Sequence, residues 1–205
     1  MVPRTPSAVK RSRLVPVTTE PVTRHTYAEY LALESESPVR HEFVDGEICA
    51  MAGGTLEHSQ IAANVIGHLR AALHARPCVV YTSDARVKVD ATSMATYPDV
   101  GVVCGEVQRS AADKDAITNP IVIVEVLSDS TSDWDRGGKF DHYRRLASLR
   151  EYVLVSQTER AVEHRVRNDD GSWTVRYFAA RDAVTLASLE CELPLDEVYF
   201  KVAGL

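Results

Sequence analysis

Apolar positions along the chain keep two rhythms, one helical and one alternating, and the switches between them mark out its elements. Over HSQIAANVIGHLRAALHARP, residues Ile61, Val65, Leu69 and Leu73 recur every fourth position, with Ala62, Ile66 and Ala72 alongside. That is one apolar helical face, ended by Pro77. A shorter helix opens at TYAEYLALESE, where Thr26 stands in N-cap position, Glu29 follows three residues later, and Tyr27, Tyr30, Leu31 and Leu33 supply the apolar side. Residues Asp133 to Leu149 read as a third helix, with Phe140, Tyr143, Leu146 and Ala147 at helical spacing.

The alternating rhythm begins at HEFVDGEICAM, two short strands about Asp45-Gly46, the dipeptide that best tolerates the positive φ angles of a tight hairpin. CVVYTSDARVKVD reads as a strand bent near Ser83-Asp84, and PDVGVVCG as another after a loop at Ala91 to Tyr97. IVIVEVLS is β-branched and apolar on both sides, as expected of a central strand covered on each face, and EYVLVSQ is a further buried strand. AVEHRVRND, SWTVRYFAA and the stretch from VTLASL to YFKV look like an antiparallel meander with a turn at Asn168 to Gly171. The order from His58 is helix, strand, strand, strand, helix, strand, with strands added at both ends. This is a mixed α/β sheet.

Composition adds boundaries to that picture. The 205 residues suffice for one domain, and residues 1–24, with Pro3, Pro6, Pro16 and Pro21 among basic and hydroxyl side chains, read as a flexible basic arm ahead of a domain at 25–205. Arg4, Lys10, Arg11, Arg13 and Arg24 against Glu20 give that arm +4 of a net −6, leaving −10 for the rest. An acidic body argues against tight, nonspecific binding of duplex nucleic acid. No run of about 18 apolar residues is present and the first residues lack a secretory pattern, which places the protein in the cytoplasm. Cys49, Cys78, Cys104 and Cys191 form no CxxC or CxxH pair, so they are expected as small, reduced, buried side chains rather than zinc ligands. GxSxG, HExxH and a glycine-rich phosphate loop are also missing, which removes the commonest serine-hydrolase, zinc-protease and nucleotide readings.

Candidate chemistry centres on Glu125, which interrupts an otherwise apolar strand where a lone carboxylate is costly to bury. Alternation puts it on one face with Ile123 and Leu127, and puts Asp99, after Pro98 on the preceding strand, on a face with Gly101 and Val103. Two acids at similar heights on neighbouring strands suit a hard divalent cation, magnesium or manganese. Lys139 lies on the apolar stripe of its helix, four residues from Tyr143, placed either to snorkel past the core edge or to set an ammonium beside the carboxylates. The segment SDSTSDWD ahead of it is rich in N-cap residues, and that helix end also suits an anion. Glu42 is a further candidate from the first hairpin. His58 either caps its helix or meets a water or phosphate. The competing account of Glu125 and Lys139 is a structural ion pair.

HEFVDGEI, a helix opening EHS, YPDV, IVEVLSDST, a later DRGGK and REYVLV succeed one another here. In this the chain resembles the Uma-two-type restriction endonuclease family, within the PD-(D/E)XK nuclease superfamily, over about Tyr27 to Val202. The resemblance implies a restriction-endonuclease-like mixed central sheet flanked by helices. It also implies a metal held by Asp99, Glu125 and the Val126 carbonyl. The superfamily's lysine two places after the second acid is replaced by Leu127, and Lys139 matches the helix lysine that takes its part; Glu42 matches a recurrent carboxylate. The implied activity is magnesium- or manganese-dependent endonuclease cleavage of nucleic acid, DNA first, by a homodimer. Two other readings stay open: a catalytically silent binding or assembly protein, and a hydrolase of another phosphate ester.

Overall fold

The computed structural model describes residues 24–51 and 53–205. The expected arm lies outside them except for Arg24, whose Nη1 donates to the Asp45 carbonyl at 3.2 Å. Helix α1 (Tyr27–Glu36) carries the reciprocal cap read from its sequence, with Thr26 and Glu29 each satisfying the other's backbone N–H. Strands β1 (His41–Val44) and β2 (Glu47–Ala50) form the antiparallel hairpin, turning at Asp45 and Gly46 with φ of 50° and 92°. Helix α2 (Leu56–Ala72) is capped by the Thr55 hydroxyl, which accepts from the His58 N–H. It buries Ile61, Val65 and Leu69, but it ends at a Leu73 cap, short of Pro77.

The expected bent strand is two strands, β3 (Cys78–Thr82) and β4 (Arg86–Val89), which belong to different sheets. Strand β5 (Met94–Thr96) occupies the expected loop, because Met94, Ala95 and Thr96 are all buried between β1 and β4. There follow β6 (Val100–Cys104), β7 (Arg109–Ser110), β8 (Asp113–Ile117) and the fully buried β9 (Val122–Leu127). The expected long helix is two short ones, α3 (Ser132–Arg136) and α4 (Gly138–Tyr143), separated at Gly137 with φ −108° and ψ −97°. Glycines 137 and 138 are weak helix formers, and that local preference outweighs the apolar spacing. The Thr131 side chain does not cap α3, and the first turn holds Asp133 and Asp135.

Strands β10 (Glu151–Ser156), β11 (Ala161–Arg167) and β12 (Trp173–Ala179) complete one six-stranded sheet, in the order β12-β11-β10-β9-β6-β3. A second six-stranded sheet runs β2-β1-β5-β4-β8-β7. Strands β13 (Ala183–Leu186) and β14 (Cys191–Pro194) pair only with each other and lead into α5 (Leu195–Val198), rather than extending the meander. The mixed α/β class read from the sequence holds, and β9 is its central strand, parallel to β10 and antiparallel to β6.

Alternation along β9 divides the core. Val122, Val124 and Val126 pack with α2, α5 and the β13–β14 hairpin on one side. Ile123 and Leu127 pack with Phe140, Tyr143 and Leu149 on the other. The cysteine expectation is corrected: Cys78 and Cys104, directly opposite on β3 and β6, form a disulfide, and Cys49 is exposed. Sequence distance hid this pair, which only the register of two strands brings together. No helix among the described residues is long and apolar enough to cross a membrane.

Candidate active site

The β6–β9 register pairs Val100 with Val124, so the next position along sets Asp99 beside Glu125. Each carboxylate accepts a backbone N–H from the facing segment. The Val126 N–H donates to Asp99 Oδ2 at 2.7 Å, and the Asp99 N–H donates to Glu125 Oε2 at 3.2 Å. These bonds fix Asp99 just ahead of β6 and Glu125 within β9. Because the facing wall is apolar, Glu125 is almost sealed, with its side chain 4% exposed against 17% for Asp99.

Lys139 reaches this pair from α4, on the crossover that the parallel β9–β10 pairing requires. Its ammonium lies 3.1 Å from Glu125 Oε1, 3.0 Å from Glu42 Oε1 and 3.3 Å from Asp135 Oδ1. The Tyr143 hydroxyl donates to Glu125 Oε1 at 3.0 Å, and the Thr96 hydroxyl donates to Glu42. Glu42, Glu125 and Lys139 therefore converge, from β1, β9 and α4, and Leu127 points into the aliphatic layer instead. Asp99 adjoins this group through Glu125. Sequence reasoning passed over Asp135, Tyr143 and Thr96. The first two stand four residues before and after Lys139, the spacing that puts helical neighbours on one face, and that signal was readable; β5, which carries Thr96, had no strand signature.

Three carboxylates about one ammonium leave the cluster with excess negative charge. Burial raises the Glu125 carboxyl above the ordinary range; Lys139 opposes the rise, while Asp99, Asp135 and Glu42 reinforce it. Burial alone would lower the Lys139 ammonium, but attraction to Glu125, Glu42 and Asp135 outweighs it and keeps the lysine charged.

His58 stands on the outer side. Its Nε2 lies 3.2 Å from Asp99 Oδ2, and that hydrogen bond raises the imidazole above its usual value against the opposing effect of burial, with the Val126 backbone adding to the rise. Gly54 makes room for the ring: a Cβ there would lie 2.8 Å from His58 Nδ1. Both His58 and Asp99 line a cleft of about 1280 Å³ whose other walls include Glu34, Arg40, Arg86 and Tyr97. The cluster thus has an open side at Asp99 and His58 and a closed side at Lys139.

Asp99, Glu125 and the Val126 carbonyl offer hard oxygen donors, the kind magnesium or manganese takes, and the uncompensated charge about Glu125 favours a cation. Among the described residues, however, no three His, Cys, Asp or Glu side chains are arranged as a ready-made metal cage. Asp99 Oδ2 is engaged by His58 and Val126, and both Glu125 oxygens have protein partners. The donor set fits such an ion in kind, and holding it would require His58 to yield its place at Asp99.

A family model, Uma2, described as a putative restriction endonuclease, matches residues 27–196. The uncharacterized protein slr1290 of Synechocystis sp. is 36% identical over 171 residues, covering 83% of this chain and 89% of that protein. The uncharacterized protein sll1609 of the same organism is 33% identical over 158 residues, covering 77% and 89%. Among solved structures, a putative nuclease belonging to DUF820 from Anabaena variabilis superposes with a TM-score of 0.69 at 17% identity, covering 84% of this chain and 96% of that one. This last likeness establishes the shared fold. With the model spanning nearly all the described residues and two relatives above 30% identity, the chain belongs to the Uma2 putative restriction endonuclease family.

Proposed function

We propose that the protein is a metal-dependent endonuclease hydrolysing phosphodiester bonds of nucleic acid, DNA first. The observation that carries this reading is the adjacency of Asp99, just ahead of β6, and Glu125 on β9, with Asp99 open to a large cleft and Lys139 at Glu125. Asp99, Glu125 and the Val126 carbonyl would hold magnesium or manganese, which when bound supplies charge stabilisation and acidifies water. The remaining work falls to side chains. Lys139 holds Glu125 and Glu42 in place and offsets negative charge building on a phosphoryl group. His58, which would yield Asp99 Oδ2 to the metal, lines the cleft where the scissile phosphate would lie. The reading includes a cytoplasmic homodimer, for which the open edge of β12, with Val175 and Tyr177 exposed, is a suitable surface.

Asp99→Asn and Glu125→Gln keep side-chain shape and remove charge. Each should lower magnesium-dependent cleavage of plasmid and single-stranded DNA by at least about 100-fold, the usual scale for losing one electrostatic contact in a site. Unchanged cleavage by either purified variant would remove the assignment.

The closed side of the cluster favours one other reading, a catalytically silent nuclease-fold binding or assembly protein in which Lys139 permanently neutralises the acids. Thermal melting separates the two, since a ligand that binds only the folded state raises the melting temperature. A rise in 10 mM magnesium, lost in Asp99→Asn, supports the enzyme; no rise supports the silent protein.

A further inference from the structure

A second cleft, of about 550 Å³, opens at the carboxyl end of α4 and the turn between β11 and β12. Arg144, Arg145 and Arg167 line it together with Phe140, Ser172 and Trp173. Arg167 is pinned: its Nη1 donates to the Leu146 carbonyl at 2.8 Å, and its guanidinium carbon lies 5.8 Å from the Trp173 ring centroid. Trp173 is in turn held edge-on by Phe140, with ring centroids 5.1 Å apart. Arg144 meets only the exposed Asp141, at 3.5 Å, and Arg145 has no acidic partner among the described residues. Of the acids in the adjoining turn, Asp170 is engaged by the Ser172 N–H and hydroxyl. In a chain of net −6, a cleft lined by three arginines and no acid is a local basic pocket with an aromatic wall.

Guanidinium forks match phosphate oxygens, and an aromatic face beside them accepts an unpaired base whatever its identity. We infer that this cleft binds a single-stranded stretch of nucleic acid, Arg144 and Arg145 on its phosphates and Trp173 against a base. The inference rests on the nuclease reading for the identity of the polyanion. It adds a place where the strand is gripped away from the acids.

The test measures binding of the full chain to a fluorescein-labelled 20-nucleotide single-stranded DNA by anisotropy, in EDTA so that cleavage plays no part. Arg144→Ala/Arg145→Ala should weaken binding at least tenfold at 100 mM salt. It should also reduce the slope of log affinity against log salt by about 1.4, the counterion release of two phosphate contacts on a single strand. Both arginines are exposed, so the variant should retain the wild-type melting temperature. Trp173→Leu should weaken binding with the slope unchanged. Wild-type and double variant binding alike, or a wild type that does not bind, would overturn the inference. Magnesium-dependent cleavage is scored separately: arginine-dependent binding without cleavage removes the hydrolytic reading and keeps the strand site, whereas cleavage with arginine-independent binding does the reverse.

Discussion

At Lys139 the site and the fold place opposing demands on one side chain. A buried ammonium is tolerated only because Glu42, Glu125 and Asp135 surround it, and those carboxylates are tolerated only because it is there. Removing one member of such a group leaves uncompensated charge in a nearly dry setting, which typically costs 3–5 kcal/mol. Lys139→Met should therefore lower stability by roughly that amount at pH 8, read from urea denaturation. The loss should shrink at pH 5, where Glu125, whose carboxyl burial raises, can take up a proton and no longer needs a cation. A loss that does not change with pH would mean that packing, not charge, sets the value of this position.

At the scale of elements, β10, β11 and the turn at Ala187–Leu189 are joined by Glu151, which is buried yet charged. Burial raises its pKa, but hydrogen bonds from His164, at 2.6 Å, and from the Ser188 N–H and hydroxyl, at 2.7 and 2.6 Å, outweigh this and hold it below the ordinary 4.5. Since its folded pKa is the lower one, its stabilising effect is complete above about 4.5 and is lost as the pH falls through the folded value. Glu151→Gln should cost about 1.5–3 kcal/mol at pH 7, the worth of hydrogen bonds to a charged group, and the two proteins should converge in stability as the pH falls through the folded value. Thermal melts across that range provide the measurement. Elements were legible where local chemistry and tertiary role agree: the Thr26 cap, the Asp45-Gly46 turn, the α2 stripe and the wholly apolar β9. They were not where a tertiary partner decides. Nothing local in Met94–Thr96 announces a strand, and its burial between β1 and β4 creates one. In the opposite sense, the apolar spacing of Phe140, Tyr143 and Leu146 suggested one long helix that Gly137 breaks. Asp99, Glu125 and Lys139 could be named because a charge inside an apolar pattern is conspicuous, whereas Thr96 inherits its role from Glu42 across the β1–β5 neighbourhood.

For the molecule as a whole, the Cys78–Cys104 bridge fastens the edge strand β3 to β6, the strand that Asp99 leads into. A cross-link closing a loop of this separation, 26 residues, restricts the unfolded chain by an amount worth about 3.5 kcal/mol. Reduction should lower the free energy of unfolding by about that much while Cys78→Ser in the presence of reductant should show no additional response to it; urea titrations with and without reductant check both. The route by which the chain brings its chemistry together has a further consequence. Glu42, His58, Asp99, Glu125 and Lys139 come from five elements, and β9 must pair in parallel with β10 only after a crossover has been laid down. Such distant closures are the slow steps of assembly, because the entropy of bringing remote segments together is lost before their contacts form. A nascent or half-folded chain therefore never holds the acids, the lysine and the histidine at once. On the proposed nuclease reading, cutting power would be withheld from the polypeptide until its last long-range pairing is made.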